Sequence, residues 1–392
     1  MTLRQGKEFL MIPGPTNVPD EVLRAMHRPA IDIYDGPLVE TTEQCLAGLK
    51  KLFRTQHQLY IYAANGHGAW DAALSNTLSE GDRVLVLESG LFATEWGKAA
   101  KVMGLDVQLL PGDWHTPVDP NALEKALKED IGHRIKAILV VQVDTATGVW
   151  NDIRRLRTAI DAAAHPALFM VDTIASLGCM PFEMDAWGVD LALTGSQKGL
   201  MTPPGLSFVA VGPKAKATHA TANLRSNYMD WTFRDGPVHY QKYCGTPPEH
   251  LLFAFKAALD LIFAEGLENV WHRHALLAEA TRRAVEIWSS AGSMDMMVPN
   301  KTARSNSVTV VTTNGWEAEK LRTFTREQCG VTIGGTIGDY AGRGFRIGHM
   351  GHVNAVMLLG TLSAIETGFI KLGIAHGKGG VNAAMEYLAQ SI

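Results

Sequence analysis

The sequence predicts an α/β fold with a mainly parallel sheet, followed by a smaller α+β domain. The first observation is that short apolar runs alternate with segments of helical period, as in folds with parallel strands. Several of these runs are apolar at successive positions, which is typical of strands buried on both faces. The second observation is that this alternation stops near residue 246, where a long helical region begins.

The predicted elements follow in order along the chain. In the first part, strands are expected at residues 59–63, 83–87, 137–143, 167–171, 191–194 and 208–211. The helices between them are expected at residues 69–78, 95–103, 121–129 and 153–164. In the second part, a helical region is interrupted near Gly266, and shorter elements follow: helices at 249–290, 317–329, 354–370 and 381–388, and strands at 307–312, 331–333 and 344–347. We therefore expect an N-terminal arm outside both cores (1–20), a large domain (21–265) and a small C-terminal domain (266–392).

The composition excludes several classes of protein. A net charge of -4 gives no basic surplus that would indicate nucleic acid or an anionic membrane as a partner. The four cysteines form no C-x-x-C pair and the 14 histidines form no H-E-x-x-H pattern, so neither a disulfide framework nor a metal site is expected. The apolar stretch 356–374 contains Glu366 and Lys371, which argues against a membrane span. Because the N terminus does not resemble a secretory signal, we expect a cytoplasmic protein.

Two strand ends carry the residues that point most clearly to chemistry. One apolar run ends in Asp172, and the carboxyl ends of parallel strands face the ligand crevice. A carboxylate there can pair with a cationic ring nitrogen. Lys198 follows the next apolar run, and a lysine against an apolar sheet has a lowered pKa, which favours imine formation. The two residues lie about one βαβ step apart, which can place them on opposite sides of a flat ring.

Both residues also have a simpler explanation. Asp172 could cap the next helix, and Thr173 and Ser176 are compatible with such a turn. Lys198 could be a surface lysine, which is the commoner situation for this residue type. However, the neighbours of Lys198 are small or uncharged, and the rigid turn Pro203-Pro204-Gly205 follows. These neighbours favour the chemical interpretation.

Two further segments are weaker signals when taken alone. The turn Gly66-His67-Gly68 connects a strand to a helix, where bare backbone N–H groups can bind phosphate. It could also be an ordinary tight turn, and it lacks the third glycine of a dinucleotide-binding fingerprint. Arg346 lies on a short strand flanked by glycines. It could bind a carboxylate through two nitrogens, or it could form a structural pair at the surface.

Together these segments resemble the class V aminotransferases, which are pyridoxal 5'-phosphate (PLP) enzymes of fold type I. Within that family the chain looks most like the alanine–glyoxylate and serine–glyoxylate aminotransferases. The resemblance covers nearly the whole chain, and its most specific motifs are Asp172-x-x-x-Ser176, Ser196-Gln197-Lys198-Gly199, Thr246-Pro247-Pro248 and Arg346-Ile347-Gly348. It implies a seven-stranded sheet in the large domain, PLP as cofactor, and transamination to glyoxylate from a small L-amino acid, with serine or alanine favoured over aspartate.

The resemblance also implies roles for individual residues. Lys198 would bind PLP as a Schiff base and transfer the substrate proton, and Asp172 would keep the ring nitrogen protonated. Arg346 would bind the substrate α-carboxylate in a substrate site shared with Tyr34 and Gly14. The other positions would bind the cofactor: Gly66, His67, Gly68 and Gln197 at the phosphate, Phe92 on the ring, Thr145 or Thr147 near the ring hydroxyl, and Tyr243 and Thr246 at the phosphate of the partner subunit. A homodimer with shared active sites is therefore implied.

One departure from the family leaves the substrate open. Residues 33–37 read Ile-Tyr-Asp-Gly-Pro, where relatives often have a His-Arg-Ser-like stretch that helps to shape the substrate entrance. If Asp35 pointed inward, it would disfavour donors with a second carboxylate, whereas an inward Arg343 would favour them.

Three alternative functions follow from the sequence. A similar stretch at 33–37 occurs in pyridoxamine–pyruvate aminotransferase, so that reaction is one alternative. A PLP lyase such as a cysteine desulfurase would need a mobile cysteine near Arg346, and the sequence around Arg346 contains none. A non-catalytic α/β binding protein would need neither the lysine nor the acid at the strand ends.

Overall fold

The computed structural model describes residues 4–391 of the chain. The strands are β1 (Phe9–Met11), β2 (Gln58–Tyr62), β3 (Arg83–Leu87), β4 (Asp106–Leu110), β5 (Ile135–Val141), β6 (Leu168–Asp172), β7 (Leu191–Gly195), β8 (Ser207–Val211), β9 (Met294–Met296), β10 (Val308–Thr313), β11 (Val331–Gly335) and β12 (Gly344–Gly348). The α-helices are α1 (Asp20–Met26), α2 (Pro37–Phe53), α3 (Gly66–Thr77), α4 (Leu91–Val102), α5 (Pro120–Glu129), α6 (Ile153–Ala162), α7 (Pro213–Thr218), α8 (Trp231–Arg234), α9 (Glu249–Glu265), α10 (Leu267–Ser289), α11 (Ala318–Cys329), α12 (Ala355–Leu372) and α13 (Gly380–Ser391).

The larger sheet contains seven strands in the order β2-β8-β7-β6-β5-β3-β4. Strand β8 runs antiparallel to both of its neighbours, whereas the pairs β3–β4, β3–β5, β5–β6 and β6–β7 are parallel. This arrangement confirms the predicted α/β fold with a mainly parallel seven-stranded sheet. Because β5, β6 and β7 are parallel, their carboxyl ends lie along one edge, where a ligand crevice is expected.

The central strands are buried because helices cover both faces of the sheet. In β6, Phe169 and Val171 pack in the apolar cluster that contains residues of α2, α6 and α9. The alternate residues Leu168 and Met170 pack in the cluster that contains residues of α3 and α4. Strand β4 was not predicted from the sequence, because it lies at the sheet edge and its residues are all at least partly exposed. Apolar runs therefore revealed the central strands and missed this edge strand.

A second sheet has the order β1-β11-β12-β10-β9. Strand β1 pairs in parallel with β11, with Phe9, Leu10 and Met11 opposite residues 331–333. Met11 is fully buried in the apolar cluster of this sheet. The expectation of an arm outside both cores therefore needs a correction for residues 9–11. A three-residue strand is too short to show the alternation on which the prediction relied.

The helices follow the predicted order, with longer N-terminal ends near the main sheet. The predicted interruption of the long helical region is present, because α9 ends and α10 begins around Gly266 at φ +88°. Helices α3 and α4 begin three and four residues earlier than predicted, so that only three residues separate each helix from the end of β2 or β3. Helix α12 is long and apolar enough to cross a membrane by length and composition alone. Its buried residues, which include Leu358, Leu362 and Phe369, pack in the core of the second sheet, as in a globular domain.

Candidate active site

A cavity of about 290 Å³ opens at the carboxyl edge of the main sheet. This volume is close to the lower end of the range for small-molecule sites, which is about 300 Å³. The cavity is lined by strand ends, by the start of α3 and by residues just after β1. Eight of the residues predicted for the site line it: Gly14, Gly66, His67, Phe92, Thr145, Asp172, Gln197 and Lys198.

Asp172 ends β6 and is almost fully buried. Its Oδ1 accepts the backbone N–H of Ile174 at 2.7 Å, and its Oδ2 accepts the indole N–H of Trp70 at 2.7 Å. Burial raises the pKa of this carboxyl from 3.8 to about 7, because the charged form loses its hydration, although both donors act in the opposite direction. A cation bound in the cavity would therefore stabilise the ionised form of Asp172.

Lys198 lies three residues beyond the end of β7, and its amino group donates a hydrogen bond to the carbonyl oxygen of Pro13. Burial lowers the pKa of the amine from 10.5 to about 8, and the positive charge of Arg346 lowers it further, whereas Asp172 and Asp144 raise it. A substantial fraction of this amine is therefore uncharged at neutral to mildly basic pH. An uncharged amine is the nucleophilic form of lysine.

The segment just after β1 packs directly against this lysine. Gly14 has φ +93°, and a Cβ atom there would lie 2.3–2.6 Å from the Cδ, Cε and Nζ atoms of Lys198. Thr16 donates its hydroxyl to the carbonyl oxygen of Lys198 at 2.9 Å, and its backbone N–H to that of Gln197 at 3.1 Å. Glycine is favoured at position 14 because its φ lies in the left-handed region, and any side chain there would also displace the amine of Lys198.

The glycine turn forms the N-terminus of α3. The side chain of Asn65 caps the helix by accepting the backbone N–H of Gly68 at 3.3 Å. The first N–H groups of a helix have no partner within the helix, so those of Gly66 and His67 are available to an anion. A Cβ at Gly66 would lie 2.4 Å from Cδ1 of Ile174, so a larger residue here would displace the Ile174 side chain, which also lines the cavity.

The aromatic wall of the cavity is formed by Phe92 in the first turn of α4. Its backbone N–H donates to Oδ2 of Asp144 at 2.8 Å, and this bond holds the start of the helix. Trp70 forms part of the floor, where its indole lies between Asp172 and the imidazole of His67, with 4.5 Å between the ring centroids of Trp70 and His67.

Arg346 lies on β12 beside the cavity and is linked to it through Thr145. Its Nη1 donates to the carbonyl oxygen of Thr145 at 2.8 Å, and its Nε donates to that of Gly335 at 2.6 Å. Burial lowers the pKa of the guanidinium from 12.5 to about 10, although the negative charge of Asp144 raises it. Within residues 4–391, Nη2 makes no hydrogen bond, so this part of the guanidinium remains available for a ligand carboxylate.

Several predicted site residues do not reach this cavity. The hydroxyl of Thr147 is buried and donates to the carbonyl oxygen of Ser89 at 3.1 Å, so Thr145 is the threonine that lines the cavity. Tyr243 is 2% exposed, and its hydroxyl shares a 2.8 Å hydrogen bond with Thr42 of the same chain. Its expected role at the phosphate of a partner subunit stays a prediction, because the described chain shows only this bond to Thr42. Thr246 is exposed, and Tyr34 is 66% exposed and packs edge-on against Tyr240.

Three contributions were missed from the sequence. Trp70 lies one helical turn after Gly66, and its amphipathic ring was a possible signal for a buried polar contact. Asp144 lies just beyond β5 at the same sheet edge as Asp172, so the strand-end rule could have found it. The carbonyl of Pro13 carries no sequence signal, because a backbone acceptor is available at every residue.

Residues 9–341 match the family model described as aminotransferase class V. This match spans most of the chain and includes Asp172 and Lys198. The chain belongs to the class V aminotransferase family.

Similar proteins include enzymes with related but different substrates. The serine–glyoxylate aminotransferase of Methylorubrum extorquens is 40% identical over 400 residues, which cover 100% of this chain and 98% of the relative. The L-aspartate–glyoxylate aminotransferase of Paracoccus denitrificans is 38% identical over 387 residues, which cover 97% of this chain and 96% of the relative. The solved structure of pyridoxamine–pyruvate aminotransferase from Mesorhizobium loti is 27% identical, with a TM-score of 0.89 and 100% coverage of both chains.

Class V aminotransferases use PLP, and the cavity of this family member fits that cofactor. Asp172 offers a carboxylate to the ring nitrogen, Lys198 offers an amine to the aldehyde, and the start of α3 offers N–H groups to the phosphate. Oε1 of Gln197 is buried without a hydrogen-bond partner in the described chain, at the cavity wall. A buried acceptor without a partner is costly, so a ligand group that donates a hydrogen bond to this oxygen would remove that cost.

Proposed function

We propose that this PLP-dependent class V aminotransferase transfers the amino group of a small L-amino acid to glyoxylate, in two half-reactions. The observation that carries the proposal is the convergence of Lys198 and Asp172 on one cavity that is also lined by the N-terminus of α3 and has Arg346 beside it. Two relatives at 40% and 38% identity are named as glyoxylate aminotransferases.

PLP, when bound, supplies the electron sink that stabilises negative charge at the substrate Cα. Asp172 would hold a proton on the ring nitrogen, through a carboxylate oriented by Trp70 and Ile174. The amine of Lys198 would remove the proton from the substrate Cα and deliver it to C4′ of the cofactor. Arg346 would orient the substrate by binding its carboxylate, so that the Cα–H bond faces the lysine.

The choice of amino donor is the finer part of the proposal. Neither Asp35 nor Arg343 lines the cavity: Asp35 is exposed with its Oδ1 on the backbone N–H of Gly36, and Arg343 is exposed. In this position Asp35 does not repel a second carboxylate in the cavity. Arg346 beside the cavity is assigned to the α-carboxylate, and the described lining residues add no cation beyond Lys198 and His67. The ranking of serine and alanine above aspartate now depends on this lack of a further cation for a second carboxylate.

A panel of donors tests this ranking. Steady-state kinetics with serine, alanine, aspartate and glutamate, each against glyoxylate, should give the highest kcat/KM for serine or alanine. If aspartate has the highest value, the ranking is wrong and His67 and Arg343 become the first side chains to vary. If no donor reacts with glyoxylate although PLP is bound, the choice of acceptor is wrong.

The alternative reaction is transfer between pyridoxamine and pyruvate. It is favoured by the full-length similarity to the Mesorhizobium loti enzyme and by the tyrosine–aspartate stretch at residues 33–37. The helix N-terminus at Gly66, with backbone N–H groups for a phosphate, favours bound PLP instead. Turnover of pyridoxamine with pyruvate by protein freed of PLP would support the alternative, and tight retention of PLP through dialysis would argue against it.

We also propose that the active unit is a homodimer and that it acts in the cytoplasm. The exposed Thr246 and the exposed Tyr34 support the first statement, and the four free cysteines support the second. Mixing Lys198→Ala and Thr246→Val proteins under subunit exchange tests sharing directly. If Thr246 acts across the interface, mixed dimers regain one site with wild-type PLP affinity. If it acts within its own subunit, or if the active species sediments as a monomer, no such site forms.

A further inference from the structure

A second carboxylate at the sheet edge has no role in the reaction described above. Asp144 follows β5, is fully buried, and forms no ion pair within residues 4–391. Its carboxylate instead accepts three backbone N–H groups: Oδ1 accepts that of Ala146 at 2.9 Å, and Oδ2 accepts those of Phe92 and Ala93 at 2.8 and 3.2 Å. Burial raises the pKa of Asp144 to about 6, although these three donors lower it. At neutral pH, Asp144 is therefore an ionised acceptor.

On one side, Asp144 caps helix α4. The residue before this helix is Gly90, which has no side chain to cap it. Asp144 supplies the missing acceptor from 52 positions along the chain, at the N–H of Phe92. The favourable charge of a carboxylate at a helix N-terminus strengthens this cap. Since the bonded N–H belongs to Phe92, the cap sets the position of the aromatic wall.

The space for this carboxylate depends on Gly90. A Cβ atom at Gly90 would lie 2.3 Å from Cγ and 2.6 Å from Oδ2 of Asp144. Any larger residue at this position would therefore push the carboxylate away from the start of α4.

On the other side, Asp144 orders the turn that binds Arg346. Oδ1 holds the N–H of Ala146, and the residue between them, Thr145, accepts Nη1 of Arg346 through its carbonyl oxygen. Thr145 also lines the cavity. One carboxylate thus connects the aromatic wall to the arginine beside the substrate site.

We propose that Asp144 is a positioning residue that fixes the Phe92 ring against the cofactor and the Arg346 guanidinium against the substrate carboxylate. This proposal rests on the proposed function, because it assigns Phe92 and Arg346 to cofactor and substrate. Asp144 itself touches neither and acts through two backbone segments.

The variant Asp144→Asn tests this role with nearly unchanged size. An amide has one acceptor oxygen, so its NH₂ group would face backbone N–H donors on either the Phe92 or the Ala146 side. We expect PLP to bind about 10-fold more weakly, as for the loss of one hydrogen bond to a charged group. We also expect a changed circular dichroism signal of bound PLP, and a KM for glyoxylate raised by about the same factor with a smaller change in kcat.

The matched control is Asp152→Asn. Asp152 caps α6 in the same manner, by accepting the backbone N–H groups of Arg154 and Arg155 at 3.1 and 3.2 Å, and it does not line the cavity. This variant should keep the wild-type PLP affinity, cofactor signal and KM. If it changes them as much as Asp144→Asn does, the effect of Asp144 is general helix stability and the proposal is wrong.

A second variant keeps the test decisive if Asp144→Asn does not fold. Gly90→Ala keeps the carboxylate of Asp144 but moves it away from the start of α4. It should therefore reproduce the weaker PLP binding and the changed signal. Wild-type values in a folded protein of either variant would overturn the proposal. PLP affinity and the cofactor signal are measured without donor or acceptor, so a failure of glyoxylate as substrate is seen separately in the wild-type enzyme.

Discussion

The ends of β6 and β7 and the loop residues Tyr243 and Thr246 were all expected to bind a cofactor, and within the described chain only the strand ends line the cavity. The strand ends deliver Asp172 and Lys198 to the cavity. The loop places Tyr243 in the apolar core of its own chain, on Thr42, and leaves Thr246 exposed. The strand ends are directed by the backbone of a parallel sheet, whereas the direction of the tyrosine depends on which partners its side chain finds.

The comparison teaches that a motif predicts a position more securely than a side-chain direction. A residue at the end of a central strand has little freedom, because that strand is hydrogen-bonded to an adjacent strand on each side. Tyr243 lies in a short 3-10 helix, where a buried hydroxyl bond competes with an outward conformation. The strand-end residues should therefore have large effects on activity, and Tyr243 a small one.

The largest effect is expected from Lys198→Ala. It removes the only amine that the described structure places within the cavity, so activity should fall by at least about 10⁴-fold, as for other essential catalytic groups. Donor-dependent glyoxylate consumption measures this. Lys214→Ala is the control, because Lys214 bonds to Ala167 and Asp190 at the amino end of the sheet and should keep activity. Substantial turnover by Lys198→Ala without added amines would show that Lys198 is not the essential amine, and the contrast between the strand ends and the loop would then be wrong.

The next effect is expected from Asp172→Asn. The variant keeps the shape but removes the charge opposite the ring nitrogen, which should cost about 3–5 kcal/mol of transition-state stabilisation, as for a broken buried charge pair. Trp70→Phe removes the indole N–H from the same carboxylate and should cost less, about 1.5–3 kcal/mol. Both values come from kcat/KM. A wild-type kcat/KM for Asp172→Asn would mean that Asp172 only caps the chain after β6.

A medium effect concerns the pH dependence of PLP attachment. Because the pKa of Lys198 is lowered to about 8, the uncharged amine increases as pH rises, and it predominates above pH 8. The rate of covalent PLP attachment to the apoenzyme should therefore rise with pH and level off above about 8. Arg346→Gln removes a positive charge that lowers this pKa, so the midpoint should move to higher pH. Arg343→Gln, three residues away and exposed, should leave it unchanged; equal shifts in both variants would contradict the account.

The smallest effect is expected from Tyr243→Phe. It should leave PLP affinity unchanged and lower the free energy of unfolding by about 1 kcal/mol, since one buried hydrogen bond to Thr42 is lost. Thr246→Val should instead weaken PLP binding without a comparable loss of stability. Fluorescence titration with PLP and chemical denaturation measure the two quantities. A large loss of PLP affinity in Tyr243→Phe would show that this hydroxyl turns outward in the assembled enzyme.

The sequence predicted the main sheet well because its central strands are continuous apolar runs. It missed β1 and β9, which have three residues each, and β4, whose residues are partly or fully exposed. It also missed α1 and α2, which lie on either side of the segment 33–37 that was interpreted as the substrate entrance. Short and edge elements depend on tertiary pairing, which a local pattern does not contain.

The site was predicted where single residues follow strands, and missed where the contact is a network. Asp172, Lys198 and the turn at Gly66 were found by that rule. The link from Asp144 through Thr145 to Arg346 joins positions some 200 residues apart, and no local spacing encodes it.

The central claim is that Lys198 carries the cofactor, and one measurement tests it most directly. The purified protein is reduced with borohydride in the presence of PLP, digested, and analysed by mass spectrometry. The account predicts one stable cofactor adduct, on the peptide that contains Lys198, together with loss of the visible absorbance of the enzyme. An adduct on a different lysine, or no adduct in a folded protein saturated with PLP, would contradict it.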